Sequence, residues 1–413
     1  MSEWSESMET EDSKNPEIES YPIGPTLFAI MLAWMCGYKS SEQVAMFWEF
    51  KIDTLKRHIP NFPDTLISHD TVHRLLSLIV VDDLKVIMSH FSELILQSGK
   101  NYELGIKSAQ SLDGQTPETS EYEPGKGLLG HSTADKRLHQ KLYDVSFFDS
   151  TNAMSLSLTM EEDESKENEN KLCVRGIKMF DLNGTIVTAD ALNTQRSIAE
   201  AVIERGGDYV LALKENNESL CMAVADALSN PFLMEQYGRT FETEVEMSHG
   251  RIEERSGLAL PISAVQDKKP IKDWKKDAHS VFMAITKSFD QEHEESRLSD
   301  VRLFISSLSF DHPDIAALGY RAIREHWHIE DNMHWCLDMD FGQNHMQIKN
   351  RNYLRNCEAL SRIALNAIRQ LEPKFRKPTR NENVALCHVQ GYLDANLGEN
   401  IGEVAKLFVE GTI

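Results

Sequence analysis

Thr185-Ile-Val-Thr-Ala-Asp-Ala-Leu192 and Gly206-Gly-Asp-Tyr-Val-Leu-Ala-Leu-Lys214 decide the fold of this chain. The first is a short β-branched run ending at Asp190. The second is an apolar run opened by a glycine pair. Between them, Thr194 stands where it can cap a helix whose apolar residues Ile198, Ala201 and Val202 recur at i, i+3, i+4. Strand, short helix, strand is a βαβ crossover, which predicts parallel strands in a mixed sheet. Open sheets of this kind bind ligands beyond the carboxyl ends of strands, and Asp190 sits at such an end.

Working outward, Tyr143–Phe148 and Met154–Met160 alternate apolar and polar residues as half-buried strands do, and a helical segment is expected before Asp181. A helix over Glu218–Leu228 is followed by β-like pieces near 240–246, 257–260, 280–285 and 302–306. A long helix begins near Pro313 or Asp314 and keeps Leu318, Ala322, Ile329, Met333, Cys336 and Leu337 on one stripe. A second amphipathic helix covers about Asn356–Leu371, and 381–413 reads as peripheral helix. Residues 21 to 98 read as an all-helical unit with segments at Thr26–Trp34, Ser41–Phe50, Thr71–Val80 and Leu84–Leu96.

The 413 residues are 41% hydrophobic and 26% charged, an ordinary globular composition with room for a sizeable core and appended subdomains. The longest apolar run, Thr26–Cys36, is about half of the roughly 20 residues that span a bilayer, so no membrane partner is expected. No basic segment precedes a cleavable apolar stretch, and the six scattered cysteines form no Cys-x-x-Cys pair. Those features predict a cytoplasmic protein rather than a secreted disulfide scaffold or a zinc ribbon. The net charge of −22, taken alone, opposes a nucleic-acid partner. Half of that excess, however, lies in residues 1–20 (−6) and 161–169 (−5), which read as solvated tail and loop. Basic residues cluster at Lys268, Lys269, Lys272, Lys275 and Lys276 around Trp274, and again at Lys374, Arg376, Lys377 and Arg380; each cluster reads first as a solvated face or linker.

Three acids stand apart. Asp113 ends an apolar-polar run at Ser111-Leu-Asp-Gly-Gln115, Asp190 ends the β-branched run, and Glu330 lies inside the long helix. Carboxylates on different elements can converge on hard cations, and two such ions suit an in-line phosphoryl displacement. Spacing alone leaves other readings open: a turn aspartate, a cap aspartate and a surface glutamate. His326, Glu330 and His334 follow at i, i+4, i+8 and share a helix face, with Trp327 and Trp335 nearby. That face also fits a zinc site or a structural histidine–glutamate network, although the His-Glu-x-x-His spacing is absent.

Several blocks of the chain, in order from about residue 25 to 371, resemble the H-repeat-associated transposases, bacterial insertion-sequence enzymes with a DDE triad. They include Ser68-His-Asp-Thr71 with Arg74 and Ser77, Leu112-Asp-Gly114, Ile186–Leu192, Gly206–Lys214, His249-Gly-Arg-Ile-Glu253 with Arg255, and Ile305-Ser-Ser-Leu308. The longest combines Arg324, His326-Trp327, Ile329-Glu330, His334-Trp335, Leu337-Asp338 and Phe341, and continues through Asn356–Asn366. The resemblance implies an α/β fold with an RNase H-like core, a mixed five-stranded sheet flanked by helices. It also implies an acidic tail over 1–20, a helical N-terminal accessory domain over 21–98, a catalytic domain over 105–372 with a β-rich insertion at 218–305, and a peripheral tail over 373–413.

By the same resemblance, Asp113, Asp190 and Glu330 form the catalytic triad and hold two Mg²⁺ or Mn²⁺ ions. The implied activity is cleavage of DNA at element ends and transfer of the freed 3′ hydroxyl to target DNA. Arg251, Arg255, Arg324, His326, Trp327 and Lys349 would contact the DNA, in a homodimer that is nucleoid-associated when bound. Gln115 and Glu118 stand where the family has lysine and arginine, and after Phe341 the chain has Gln343, Asn344 and Gln347 in place of acidic and later basic residues. These departures keep open a decayed or domesticated copy that acts only as a DNA- or protein-binding module.

Overall fold

The strand Thr185–Ala189 (β4) has all five residues buried, and its neighbour Asp208–Leu213 (β5) runs parallel to it, with Ile186 opposite Asp208. The helix between them (Arg196–Glu204) ends where Gly206 takes φ +81, a left-handed conformation that glycine adopts without Cβ strain. Leu182 and Val202 crowd the backbone at Gly207, which closes the crossover tightly. The predicted βαβ unit is therefore present. One detail differs: Thr194 does not cap the helix, because its hydroxyl donates instead to the carbonyls of Asp190 and Ala212.

The computed structural model describes residues 21–98, 108–115, 142–162, 166–242, 246–248, 251–266, 269–289, 296–343, 350–372 and 385–410. The other strands are β1 (Ser108–Gln115), β2 (Leu142–Asp149), β3 (Met154–Glu162), β6 (Arg239–Glu242), β7 (Glu246–Ser248), β8 (Arg251–Pro261), β9 (Ser280–Phe289) and β10 (Ser296–Ser306). They form one sheet in the order β3-β2-β1-β4-β5-β10-β9-β8-β6, with β7 paired to β8. Only β1–β4 and β4–β5 are parallel; the remaining pairs are antiparallel. The sheet is thus wider than the expected five strands, because β8 and β9, within the segment 218–305, are joined to β5 through β10.

Alternation along the strands divides the core. Leu112, Val187 and Leu211 face helices α5 (Lys166–Ile177) and α6 (Arg196–Glu204). Ala109, Ile186 and Val210 face α10 (Ile315–His326), which covers the other side with Ile315, Leu318, Ala322 and Ile323. Helices α7 (Glu218–Leu228), α8 (Pro231–Tyr237) and α9 (Lys269–Trp274) lie within the segment 218–305, and the first of these has the bounds its periodicity predicts.

Four N-terminal helices, α1 (Ile23–Met35), α2 (Ser41–His58), α3 (His69–Leu78) and α4 (Val81–Ser98), gather around α12 (Arg351–Leu371). Ser40 and Ser68 cap α2 and α3 by accepting from the backbone N–H of Gln43 and Thr71. Asn356 Nδ2 donates to the carbonyls of Leu76 (2.7 Å) and Ile79 (2.8 Å), Trp34 donates to Ser361, and His73 stacks on Tyr353. The same helix reaches the sheet through Asn366, which bonds both backbone groups of Ser155. One apolar cluster consequently runs from Trp34 and Trp48 through α12 to Leu112 and Val187. The C-terminal helices α13 (Leu386–Ala395) and α14 (Leu397–Glu410) close the far side, where Phe408 stacks on Phe91.

The long helix predicted from Asp314 onward is broken. After α10, residues Ile329–His334 form a π turn, and α11 (Trp335–Met339) follows. The acidic stretch 161–169 is likewise not one loop. Its start belongs to β3 and its end to α5, while 163–165 lie outside the described residues, as do 1–20 and the basic cluster at 374–380.

Candidate functional site

Leu112 of β1 pairs with Ala189 of β4, and the next residue on each strand is an aspartate. Because the strands are parallel and in register, Asp113 and Asp190 leave the sheet on the same side, the side covered by α10. That face grades from apolar at Ala109 and Ile186, through Ser111 and Thr188, to the two acids at the strand ends.

The covering helix follows the same gradient. Its apolar part ends at Ile323, and there the sheet anchors it with hydrogen bonds: Ser111 and Ser150 donate to the carbonyl of Glu325, and Thr188 Oγ1 lies 3.1 Å from Nδ1 of His326. The π turn comes next, with the N–H of Trp335 bonded to the carbonyl of Glu330 five residues earlier. Glu330 and His334 emerge from it toward β1.

Asp113, Glu330 and His334 thereby present ligand atoms that all lie within 4.8 Å of one another. His334 Nδ1 stands 3.6 Å from Asp113 Oδ2 and 3.5 Å from Glu330 Oε2, and its ring is buried. The contact with His334 holds the Glu330 carboxyl below the usual range, against the opposing effect of partial burial. Ligands of an octahedral ion at roughly 2.1 Å stand about 3–4 Å apart, so this trio needs little contraction to close on a divalent cation. Two carboxylates suit a hard ion, and one imidazole is compatible with Mn²⁺ as well as with softer metals.

Asp190 is not one of that trio. Its Oδ1 accepts from both the backbone N–H (3.0 Å) and the Nδ2 (3.1 Å) of Asn193. Asn193 is itself buried and accepts from Cys173, so it fixes the Asp190 rotamer. Asp190 and Glu330 both act electrostatically on His326, so the two acids share this ring as a neighbour. Enclosure by protein outweighs those two acids and lowers the imidazole to about 4, so His326 is neutral at physiological pH.

The remaining expected DNA contacts divide. Arg324 and Trp327 are exposed at the end of α10, and the Arg302 guanidinium lies over the Trp327 ring at 4.2 Å. Arg255, by contrast, is buried and paired with Glu253, so its charge is spent within the insertion rather than offered to a surface phosphate. Arg251 opens β8, and Lys349 lies outside the described residues. The sequence reading did not count His334, Asn193 or Thr188 as site residues. The first was legible as the i+4 neighbour of Glu330; the other two depend on strand register.

Comparison with known proteins identifies the family. The family model described as "Transposase DDE domain" matches residues 112–366, more than half of the chain. The chain is 27% identical over 373 residues to a protein named YbfL of Escherichia coli strain K12, covering 87% of this chain and 88% of that one. It is 25% identical over 379 residues to the H repeat-associated putative transposase YhhI of the same organism, covering 88% and 92%. A solved piggyBac transposase synaptic complex with hairpin DNA aligns over the whole chain and 80% of its own, at 10% identity and a TM-score of 0.37. The chain belongs to the DDE transposase family, among the H-repeat-associated members. No described helix is long and apolar enough to cross a membrane.

Proposed function

We propose that this protein is a divalent-metal-dependent DDE transposase that cleaves DNA at the ends of an insertion sequence and joins the freed 3′ hydroxyl to target DNA. The observation that carries the reading is the meeting of Asp113, Glu330 and His334 within 4.8 Å, one strand away from Asp190. The strand order β3-β2-β1-β4-β5, antiparallel then parallel, supports an RNase H-like core over 105–372, with 21–98 as an accessory helical unit.

In this reading Asp113, Glu330 and His334, with Asp190 on the neighbouring strand, would hold two divalent ions, Mg²⁺ or Mn²⁺. Ions so held stabilise charge on the phosphate and lower the pKa of an attacking water. The chain's own part is preorganisation. Asn193 occupies Oδ1 of Asp190 and leaves Oδ2 without a hydrogen bond among the described residues. Neutral His326, tied to Thr188, fills the floor between Asp190 and Glu330 without adding a competing cation. Exposed Arg324 and the Trp327–Arg302 pair at the end of α10 offer cations and an aromatic face to DNA. Two ends must be brought together, which calls for a homodimer in the DNA complex.

The test is nicking of DNA from a library of candidate terminal inverted repeats. With Mg²⁺ or Mn²⁺ the wild type cleaves at the repeat, and Asp190→Asn, folded as judged by circular dichroism, does not. A wild type that binds this DNA and never nicks it would instead support the retired binding module, which Gln115 at the end of β1 and the net charge of −22 favour.

A further inference from the structure

On α12, Arg362, Asn366 and Arg369 recur at i, i+4, i+7 and so form one polar stripe, and the first two are fully buried. Long polar side chains inside a core must find partners there, because an unpaired one carries the whole cost of its lost hydration. The partners of this stripe lie around the acidic site.

Arg362 Nη2 donates to Ser146 Oγ at 3.4 Å, and Ser146 is the residue of β2 directly opposite Asp113. Arg369 lies about two turns further along the helix and serves the other half of the site. Its Nη2 donates to the Asn332 carbonyl at 3.3 Å and to Sγ of Cys336 at 3.2 Å. Its Nη1 meets Oε2 of buried Glu372 at 3.3 Å, which anchors the head from behind. Asn332 is in the π turn, two residues from Glu330 and two from His334. Single π turns are uncommon, and the relaxation open to this one is ordinary α pitch. A guanidinium bonded both to Asn332 and, four residues on, to Cys336 bridges the wide turn to the start of α11. The planar fork fixes those directions in a way that a single ammonium on a flexible stem does not.

We infer that the forked guanidinium of Arg369 is a positioning group for the acidic site: held by Glu372 and bonded to the Asn332 carbonyl, it keeps the π turn at the spacing that sets Glu330 and His334 against Asp113. Arg362 holds the strand half of the site through Ser146. The inference rests on the metal-dependent reading and adds to it where the spacing of the ligand atoms is set, on a helix that supplies none of the ligands itself.

The test uses the full-length protein and Mn²⁺ alone, read by calorimetric titration and electron paramagnetic resonance, with urea unfolding in parallel. Removing groups that orient metal ligands weakens binding roughly 10–100-fold, so Arg369→Gln should lose about tenfold in Mn²⁺ affinity. Arg369→Lys keeps the charge but not the fork, and its affinity should fall between that of Arg369→Gln and wild type. The zero-field splitting of the bound ion should change in both variants, because the ligand atoms have moved. A residue that only stabilised the fold would lower the unfolding midpoint and leave the affinity and spectrum of the folded protein at wild-type values. That result in either variant overturns the inference, and should Arg369→Gln fail to fold, Arg369→Lys is read alone by the same criteria. Wild-type protein that binds no Mn²⁺ refutes the metal-dependent reading and the positioning role with it, whereas Mn²⁺ binding unmoved by the substitutions refutes the positioning role alone.

Discussion

Nδ1 of His334 stands 3.6 Å from Oδ2 of Asp113, joining the end of a strand to a helix more than 200 residues further along the chain. The same nitrogen lies 3.5 Å from Glu330, so one imidazole sits between two acids. On the proposed reading it helps gather them around the ion. His334→Gln should lower Mn²⁺ affinity by about tenfold, the range found when groups orienting metal ligands are removed. Asp113→Asn should lower it further. Calorimetric Mn²⁺ titration checks both, and an unchanged affinity in His334→Gln would reduce that residue to packing.

Glu358 is fully buried in α12, and burial pushes its carboxyl up to about 8, with Gln343 beside it and Arg355 opposing the shift. The native state therefore binds more protons than the unfolded chain between about pH 4.5 and 8, and stability must fall as pH rises through that window. Glu358→Gln carries no such titration. Urea unfolding should show the variant gaining on the wild type by an amount on the order of a few kcal/mol between pH 5 and 8. Parallel curves for the two proteins would refute a buried titrating carboxyl.

Asp277 takes both guanidinium nitrogens of Arg196, at 2.7 and 2.6 Å, and the hydroxyl of Tyr209 at 2.7 Å. Arg196 also lies over the Trp274 ring at 4.9 Å. Against a burial penalty, those donors hold the Asp277 carboxyl below its ordinary range, so its contribution persists above the unfolded pKa and is lost only as pH falls through the depressed one. Asp277→Ala leaves a buried phenol and a half-buried cation without their acceptor. It should cost about 3 kcal/mol at pH 7, measured by chemical denaturation.

A Cβ at Gly319 would come within 2.3 Å of the Phe282 ring, because α10 lies directly on β9 at that point. Gly319→Ala should destabilise the fold by about 1–3 kcal/mol. The displaced helix carries Glu330 with it, so nicking should fall more steeply than the folded fraction. Comparing activity with denaturation midpoints separates the two effects.

Much of this was legible in the chain because local signals were strong. The β-branched Thr185–Ala189, the glycine pair at 206–207 and the periodic Glu218–Leu228 each state their own conformation. What was not legible depends on distant partners. Nothing near Leu112 announces that it pairs with Ala189, and that register alone turns two scattered aspartates into neighbours. Arg255 entered as a DNA contact through the family resemblance alone, and nothing in its local sequence reveals that the fold buries it against Glu253. Thr194 followed a capping pattern, yet its hydroxyl found a better acceptor in Ala212 of the adjoining strand. The sheet's width escaped notice because β10 must return antiparallel to β5 from across the whole insertion.

The π turn at Ile329–His334 makes the helix a phased device. It holds one residue more than α geometry allows, so everything beyond it is rotated by about 100° relative to an unbroken helix. Straightening the turn at its present length would swing Met333, Leu337 and Phe341 out of their buried seats, or else drag Glu330 away from β1. Deleting one residue, such as Asn332, would instead let α pitch run through with both halves still in phase, so the surplus residue alters only the local spacing that sets Glu330 against His334.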